Sequence, residues 1–295
     1  GITGHSGGWF LNRLKQEGYD GRIRCLVRPQ SDTSYLDDSG LDVEKVVGDL
    51  DDRDMLMSSM SGARIVLHIA SIYYSNNIMN AALHNDVEWA VLVHTTGRYS
   101  KYKSASAEYI RIEEELLQLR SQIGVTVLRP TMIYGSSRDC NMYRLVDYLY
   151  RHRFFPMFGQ GQNLMQPVHS RDLGNAYYDV LSNRNNTFNK EYNLPGEHPL
   201  PYIDVVRTVS NALGRKNAIV KFPIWASVAA ARVYNALDKN AIISVEQVLR
   251  MQEDKAFDYE DAARDFGFSP ISFEKGILEE VDEYLSSVQK HGTER

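Results

Sequence analysis

Short, almost wholly apolar runs alternate with amphipathic stretches through the first half of the chain. Arg22–Val27, Val43–Val47, Arg64–His68, Ala90–His94 and Val125–Arg129 are each five or six residues long and rich in β-branched or apolar side chains. That is the pattern of strands buried on both faces. Between them, Trp9–Glu17, Asp51–Met60, Asn77–Asn85 and Ala107–Gln122 have helical spacing. The last is the most regular, with Ile110, Ile112, Leu116, Leu117 and Ile123 set around Glu113–Glu115. Strand and helix alternating this often predict an α/β fold, a doubly wound parallel sheet with helices on both faces.

The second half reads differently. A helix over Asn141–Arg151, a turn at Phe158–Gly161, a short strand at Leu164–His169 and a helix over Arg171–Leu181 lead into a largely helical remainder. There the pattern predicts helices at Tyr202–Leu213, Trp225–Leu237, Ser244–Met251, Tyr259–Asp265 and Phe273–Val288, punctuated by Gly214, Pro223 and Pro270. A smaller, helix-rich lobe capping the carboxyl edge of the sheet is expected.

Composition narrows the partners. The 295 residues are 43% hydrophobic and 24% charged, ordinary for a globular protein. A net charge of -5 gives no electrostatic reason to expect nucleic acid or an anionic membrane. Any anion must be held by a local site. The two cysteines, Cys25 and Cys140, form no CxxC or His/Cys cluster, which suits a reducing cytoplasm and argues against structural zinc. The longest apolar stretch, Pro223–Leu237, contains Arg232 and is too short and too polar to span a bilayer. Asn185-Asn186-Thr187 is read as a chance sequon. Gly1 already lies inside a strand-to-turn motif, so part of the first strand is expected to precede it.

That motif, Thr3-Gly4-His5-Ser6-Gly7-Gly8, places glycines where a strand would turn into a helix. Glycine there lets the backbone bend tightly against a pyrophosphate, which the helix N-terminus stabilises. Gly48-Asp49-Leu50, His68-Ile69-Ala70-Ser71, Val93-His94-Thr95-Thr96 and Leu128-Arg129-Pro130-Thr131-Met132-Ile133-Tyr134-Gly135 follow in order. Gln166–Leu173 and Phe266–Pro270 complete the series. Together they resemble the extended short-chain dehydrogenase/reductase family, the NAD-dependent epimerase/dehydratases, over essentially the whole chain. The resemblance implies a Rossmann-type domain of residues 1–134 and 164–196, with a substrate lobe of 135–163 and 197–295. It also implies cofactor contacts from Gly4, Ser6, Gly7, Gly8, Asp49, Leu50, Ile69, Ala70, Ser71, Pro130, Thr131 and Ile133. The family's third glycine is replaced by Phe10, so the helix must pack differently there.

Two positions bear on cofactor and chemistry. An NAD site needs a carboxylate at the end of the second strand for the ribose 2′-hydroxyl. Here Arg28 stands at that end, suited to a 2′-phosphate, so NADP is the preferred cofactor; Asp32 nearby could partly restore NAD. In the family a tyrosine moves the proton, a lysine four residues on lowers its pKa, and a Ser/Thr binds the reacting oxygen. Thr95 or Thr96 and Tyr109 fit, but the fourth residue after Tyr109 is Glu113. Tyr99-Ser-Lys-Tyr-Lys103 matches YxxxK yet begins three residues after Thr96, too close for all three groups to surround one carbonyl. Lys103 or Arg111 could swing in beside Tyr109, or Tyr102 could act.

Other side chains have weaker assignments. His5 is expected to face solvent, and His68 and His94 to belong to the core. His169 and Asp172 are expected to hold the lobes together. Met132, Tyr134, Tyr143, Phe158 and Met165 either line a substrate cleft or sit in the core. Arg138, Arg144, Arg151 and Arg153 could face a diphosphate. Two readings remain: an NAD(P)-dependent oxidoreductase or epimerase/dehydratase acting on a carbonyl or secondary alcohol, including nucleotide-sugars, or a non-catalytic NADP(H)-binding protein. Helices 77–85 and 107–122 could pair two subunits. No metal is expected.

Overall fold

A computed structural model describes residues 1–226, 228–229 and 245–293. The expected strands form where the apolar runs lie: β1 (Ile23–Val27), β2 (Val43–Val47), β3 (Ile65–His68), β4 (Trp89–Val93) and β5 (Gly124–Pro130). Later come β6 (Ile133–Tyr134), β7 (Phe154–Phe158), β8 (Leu164–Met165), β9 (Val168–His169), β10 (Glu191–Leu194), β11 (Leu200–Pro201) and β12 (Ala218–Phe222). The helices are α1 (His5–Gln16), α2 (Ser34–Asp37), α3 (Arg53–Ser59), α4 (Ser75–His84), α5 (Lys103–Leu117), α6 (Met142–Arg151), α7 (Ser170–Ser182), α8 (Arg184–Thr187) and α9 (Tyr202–Ala212). Three more span Val245–Arg250, Glu260–Phe266 and Phe273–Thr293. The helix expected at Trp225–Leu237 falls largely outside the described residues. No helix among them is long and apolar enough to cross a membrane.

The main sheet is parallel throughout, in the order β10-β5-β4-β3. Every residue of β4 and β5 is buried, as apolar runs covered on both faces require. β1 and β2 form a separate parallel pair. The chain's first residues lie between the carboxyl ends of β1 and β3: the Gly1 amino group is close to Cys25 and Arg28, and its backbone packs on Ile69.

Two apolar layers sandwich the sheet. One gathers Phe10, Leu11, Leu14, Trp89, Val91, Leu173 and Tyr177, and also takes Ala262, Phe266 and Phe268 from far along the chain. The other holds Met79, Ala82, Leu92, Ile112, Leu116 and Val127 beneath α4 and α5. A third core joins α6, α9 and the helix Phe273–Thr293 through Val146, Leu149, Val206, Val209, Ile277 and Tyr284. Several strands are absent from the sequence expectation. β7 and β12 pair in parallel, β10 extends the main sheet, and Leu164–His169 is broken at Gln166–Pro167 into β8 and β9, which pair with β11 and β6 respectively. Cys25 is buried, Cys140 is exposed, and both are free thiols.

Candidate functional site

The glycine turn leads into α1 through Gly4, an extended N-cap with φ -82° and ψ -178°. No side chain caps this helix, and its first turn carries no acidic residue. Its leading N–H groups and positive dipole end are therefore free to take an anion. Gly7 packs so closely on the preceding chain that a Cβ would lie 2.4 Å from the Gly1 carbonyl oxygen. Gly8 is the opposite case, with open space where a Cβ would project. The Ser6 hydroxyl is buried and hydrogen-bonded to the Tyr177 hydroxyl at 3.0 Å, so Ser6 offers a ligand its backbone alone. Phe10 enters the core edge-on to Tyr177. The close helix packing expected of a third glycine comes instead from α7, where a Cβ on Gly174 would lie 2.4 Å from Trp9 Cβ and 2.6 Å from the Phe10 nitrogen.

Around this turn stand the other cofactor candidates. Arg28 is exposed just beyond β1, while Asp32 accepts hydrogen bonds from the Ser34 amide and hydroxyl, which hold its carboxyl below the usual range. Asp49 is exposed, and the Leu50 carbonyl accepts from Asn77. Ile69 and Ala70 are half-buried and Ser71 is exposed, its carbonyl 3.2 Å from His68 Nε2. Burial drives the His68 pKa down to about 3, so that imidazole is neutral. Arg138 donates to the Thr3 carbonyl at 3.3 Å, which sets it over the glycine turn. His5 does not face solvent as expected. It is half-buried beside Gly135 and Asp139, with its pKa lowered first by that burial.

Two of the catalytic candidates converge. A Cβ placed on Gly97 would lie 3.2 Å from both Thr95 Oγ1 and Tyr109 Cε2, so Thr95 and Tyr109 flank one glycine. Thr95 Oγ1 accepts from the Gly97 amide at 3.0 Å, which leaves its own O–H free to donate. The Thr96 hydroxyl is buried and donates to the Pro130 carbonyl at 3.2 Å. Thr131 bonds inward too, its hydroxyl donating to the Gln166 carbonyl, and Ile133 pairs with Val168. Tyr73, which the sequence did not single out, packs its ring against that of Tyr109, with centroids 5.8 Å apart.

Lys103 is not brought to Tyr109. It is exposed in the first turn of α5, and six residues of helix carry Tyr109 about 240° round the axis and about 9 Å along it. Arg111 is held by Glu108 and Glu115, each at 2.7 Å, on the outer surface. Tyr99 belongs to a short turn, Thr96–Tyr99, and its hydroxyl accepts from Arg129 and donates to Asn193. The following residues bond segments far along the chain: Ser100 and the Lys101 amide bond Glu253, and Ser104 bonds Glu246. The literal YxxxK match is thus a packing segment, and Tyr102 caps the start of α5.

Glu113 is fully buried and points away from solvent into a polar cluster. It contacts the guanidiniums of Arg98 and Arg129 and accepts from His94 Nδ1 at 2.9 Å. Because a carboxylate only accepts, the His94 proton sits on Nδ1, and Nε2 accepts from the Ser75 hydroxyl at 3.1 Å. Burial, then Arg129 and Arg98, drives the His94 pKa down to about 3 and keeps it neutral. Arg129 goes on to contact Glu191, which Arg120 also holds at 3.1 Å. The negative charge at the lysine position is therefore neutralised by two arginines.

A cleft of about 260 Å³ is lined by Met132, Cys140, Arg144, Met165, Tyr202 and Lys255, among others. Tyr134 is not part of it. Its ring is wholly buried against His169 and Phe273. Tyr143 packs on Tyr284, and Phe158 is exposed elsewhere. Arg151 pairs with Asp147, and neither Arg151 nor Arg153 lines the cleft. His169 caps α7 by accepting the Arg171 amide, and Asp172 accepts the Ile271 amide at 3.0 Å, tying α7 to the chain ahead of the last helix. No group of three or more His, Cys, Asp or Glu suited to a metal occurs among the described residues.

No protein-family model matches the chain. Over 71 residues it is 37% identical to sterol demethylase protein B of Methylococcus capsulatus; the match covers 24% of this chain and only 20% of that protein's length. Solved structures match over nearly the whole chain. The structure of gox2253 aligns with a TM-score of 0.79 at 20% identity, covering 97% of this chain and 96% of that one. The dTDP-glucose 4,6-dehydratase DesIV of Streptomyces venezuelae, solved with NAD and TYD bound, aligns at 0.74 and 17% identity, covering 97% and 95%. PA4631, a nucleoside-diphosphate-sugar epimerase of Pseudomonas aeruginosa, aligns at 0.74 and 17%, covering 97% and 96%. The chain thus has the Rossmann-type α/β fold that these nucleotide-sugar epimerases and dehydratases share.

Proposed function

We propose that the protein is an NAD(P)-dependent oxidoreductase or epimerase/dehydratase of the extended short-chain dehydrogenase type, acting on a carbonyl or secondary alcohol. The observation that carries this reading is the uncapped first turn of α1, free of acids and facing open space at Gly8. A pyrophosphate fits there, against backbone N–H groups and beneath Arg138. Arg28, exposed and without an acidic partner among the described residues, favours the 2′-phosphate of NADP, while Asp32 is committed to its own turn. NAD accompanies the DesIV structure, so both cofactors belong in the test. The bound nicotinamide would supply or accept hydride.

This chain's own groups then handle the proton. Thr95, with a free O–H, hydrogen-bonds the reacting oxygen, and Tyr109 beside it gives or takes the proton, supported by Tyr73. Thr96 serves instead to fix the turn on Pro130. The substrate lies in the cleft between the 1–134/164–196 and 135–163/197–295 lobes, where Arg144 and Lys255 suit a phosphorylated or nucleotide-linked substrate. A non-catalytic role drew its support from Glu113 as a misplaced charge, and that carboxylate is occupied in the core.

Titration with NADPH and NADH should show saturable binding with NADPH tighter. Carbonyl substrates, dTDP- and UDP-sugars among them, should then be turned over, and Tyr109→Phe should slow this by about 10²–10⁴-fold while leaving cofactor affinity intact. Undiminished turnover in Tyr109→Phe would remove Tyr109 from the mechanism; loss of all dinucleotide binding by the folded parent would remove the function itself.

A further inference from the structure

A buried chain of hydrogen bonds joins three separate stretches around the Thr95–Tyr109 pair, and the proposed chemistry uses none of its members. Ser75, His94 and Glu113 are all buried. The Ser75 hydroxyl donates to His94 Nε2 at 3.1 Å, and His94 Nδ1 donates to the Glu113 carboxylate at 2.9 Å. A neutral imidazole that gives its one proton to a carboxylate must accept at its other nitrogen, so both bonds have a fixed direction.

Each member stands beside one aromatic or hydroxyl group of the site. His94 directly precedes Thr95, and its amide donates to the Leu128 carbonyl at 2.8 Å, which fixes the end of β4 on β5. Glu113 follows Tyr109 by one turn of α5, on the same side of the helix. Ser75 opens α4 two residues after Tyr73. The turn that carries Tyr73, Ile72–Tyr74, is held by the buried Ile72 and by the Tyr74 amide, which donates to the Ser71 carbonyl at 3.0 Å. Tyr73 itself is 58% exposed, and its ring meets that of Tyr109 at 44°. An exposed ring has little packing to hold it. Its place beside Tyr109 therefore depends on where its turn is anchored, and that anchor is Ser75.

We propose that Ser75 and His94 are positioning residues: through Glu113 they hold the turn of Tyr73 against α5, and so set the spacing of the two tyrosine rings beside Thr95. The proposal rests on the reading of Tyr109 as the proton-transfer group and deepens it. A displacement of about 1 Å at such a group can cost about a hundredfold in rate. Neither Ser75 nor His94 touches the reacting atoms. Burial keeps His94 neutral, so the chain acts through geometry and not through charge.

Photo-oxidative coupling of tyrosines, read as dityrosine-linked peptides by mass spectrometry, reports the ring pair without any substrate. The full-length parent should yield a Tyr73–Tyr109 link that Tyr73→Phe removes. Ser75→Ala and His94→Asn delete the same hydrogen bond, the asparagine amide keeping a donor toward Glu113. Each should lower the yield at least about threefold, the scale of one hydrogen bond, and the double variant should lower it no further. Circular dichroism and NADPH affinity should match the parent. In the turnover assay applied to Tyr109→Phe, kcat should fall about tenfold or more in each variant while the KM for NADPH holds. Ser75→Ala, the smaller change, decides the matter should His94→Asn fail to fold. Unchanged coupling in Ser75→Ala would overturn the proposal, as would a parent with no Tyr73–Tyr109 link. Turnover lost in Tyr109→Phe but kept in Ser75→Ala would also overturn it while leaving Tyr109 in its role. Full turnover in Tyr109→Phe would instead bring down the reading on which the proposal rests.

Discussion

Glu113 shows how one residue misleads when read alone. At the position four after Tyr109, a carboxylate suggests a site that has lost its cation. In the fold it is fully buried between Arg98, Arg129 and His94, none of them near it in sequence. Removing one partner of a buried charged group leaves the others unpaired and typically costs about 3–5 kcal/mol. Glu113→Ala should lose stability of that order in urea unfolding. Installing the family's residue, Glu113→Lys, should be at least as damaging and should not raise turnover, because the ammonium would face two guanidiniums. A Glu113→Lys variant as stable as the parent would mean that the cluster is not what holds α5 on the sheet. The candidate tyrosine and threonines were legible because spacing along the chain sets them at the end of β4 and in α5. The cluster and Tyr73 were not, since both depend on which side chains from distant segments meet.

At the scale of the element, α1 carries the argument. Its glycines divide their work: Gly7 permits close packing, Gly8 leaves open space, and Gly174 on α7 supplies the approach that Phe10 precludes on α1 itself. Gly8→Ala should leave the fold intact and add about 0.5–1 kcal/mol through helix propensity. It should nevertheless weaken NADPH binding, because the methyl group would occupy the space proposed for the pyrophosphate. Gly174→Ala should do the reverse, destabilising by about 1–3 kcal/mol as α1 and α7 are forced apart. Comparing unfolding midpoints with NADPH titrations separates the two; equal cofactor affinity in Gly8→Ala and the parent would displace the ligand from this turn. Sequence pattern found β1–β5 because strands buried on both faces are continuous apolar runs. It missed β10, which begins at Glu191 and buries only alternate residues, and β7, which contains Pro156 and keeps one face in solvent. The amphipathic edges of a fold carry less sequence signal than its centre.

For the whole molecule, buried titratable groups set the pH range in which the assembled site persists. Burial drives His68 and His94 down to about 3 and His169 to about 4. Unfolded histidines titrate near 6.5, so between that value and the folded pKa the unfolded chain binds more protons. The stability these residues contribute is therefore complete above about 6.5 and lost progressively as pH falls. Glu280 acts in the other direction. It is fully buried, donates no charge to solvent, and accepts the Gly135 amide at 2.8 Å; burial first, then Asp139, pushes its pKa up to about 9. The folded chain holds that proton where the unfolded chain has released it, so stability falls as pH rises from about 4.3 through 9. The consequence reaches the site, because the segment from Gly135 to Asp139 carries Arg138 over the Thr3 carbonyl. An ionised Glu280 beside Asp139 would loosen that segment, so NADPH affinity should decline along with stability on the alkaline side. Urea midpoints and NADPH titrations measured across this range should fall on both flanks for the parent. Glu280→Gln should flatten the alkaline limb of both and leave the acid limb, which belongs to the histidines, in place. An unaltered alkaline limb in that variant would release Glu280 from its role in holding the loop over the glycine turn.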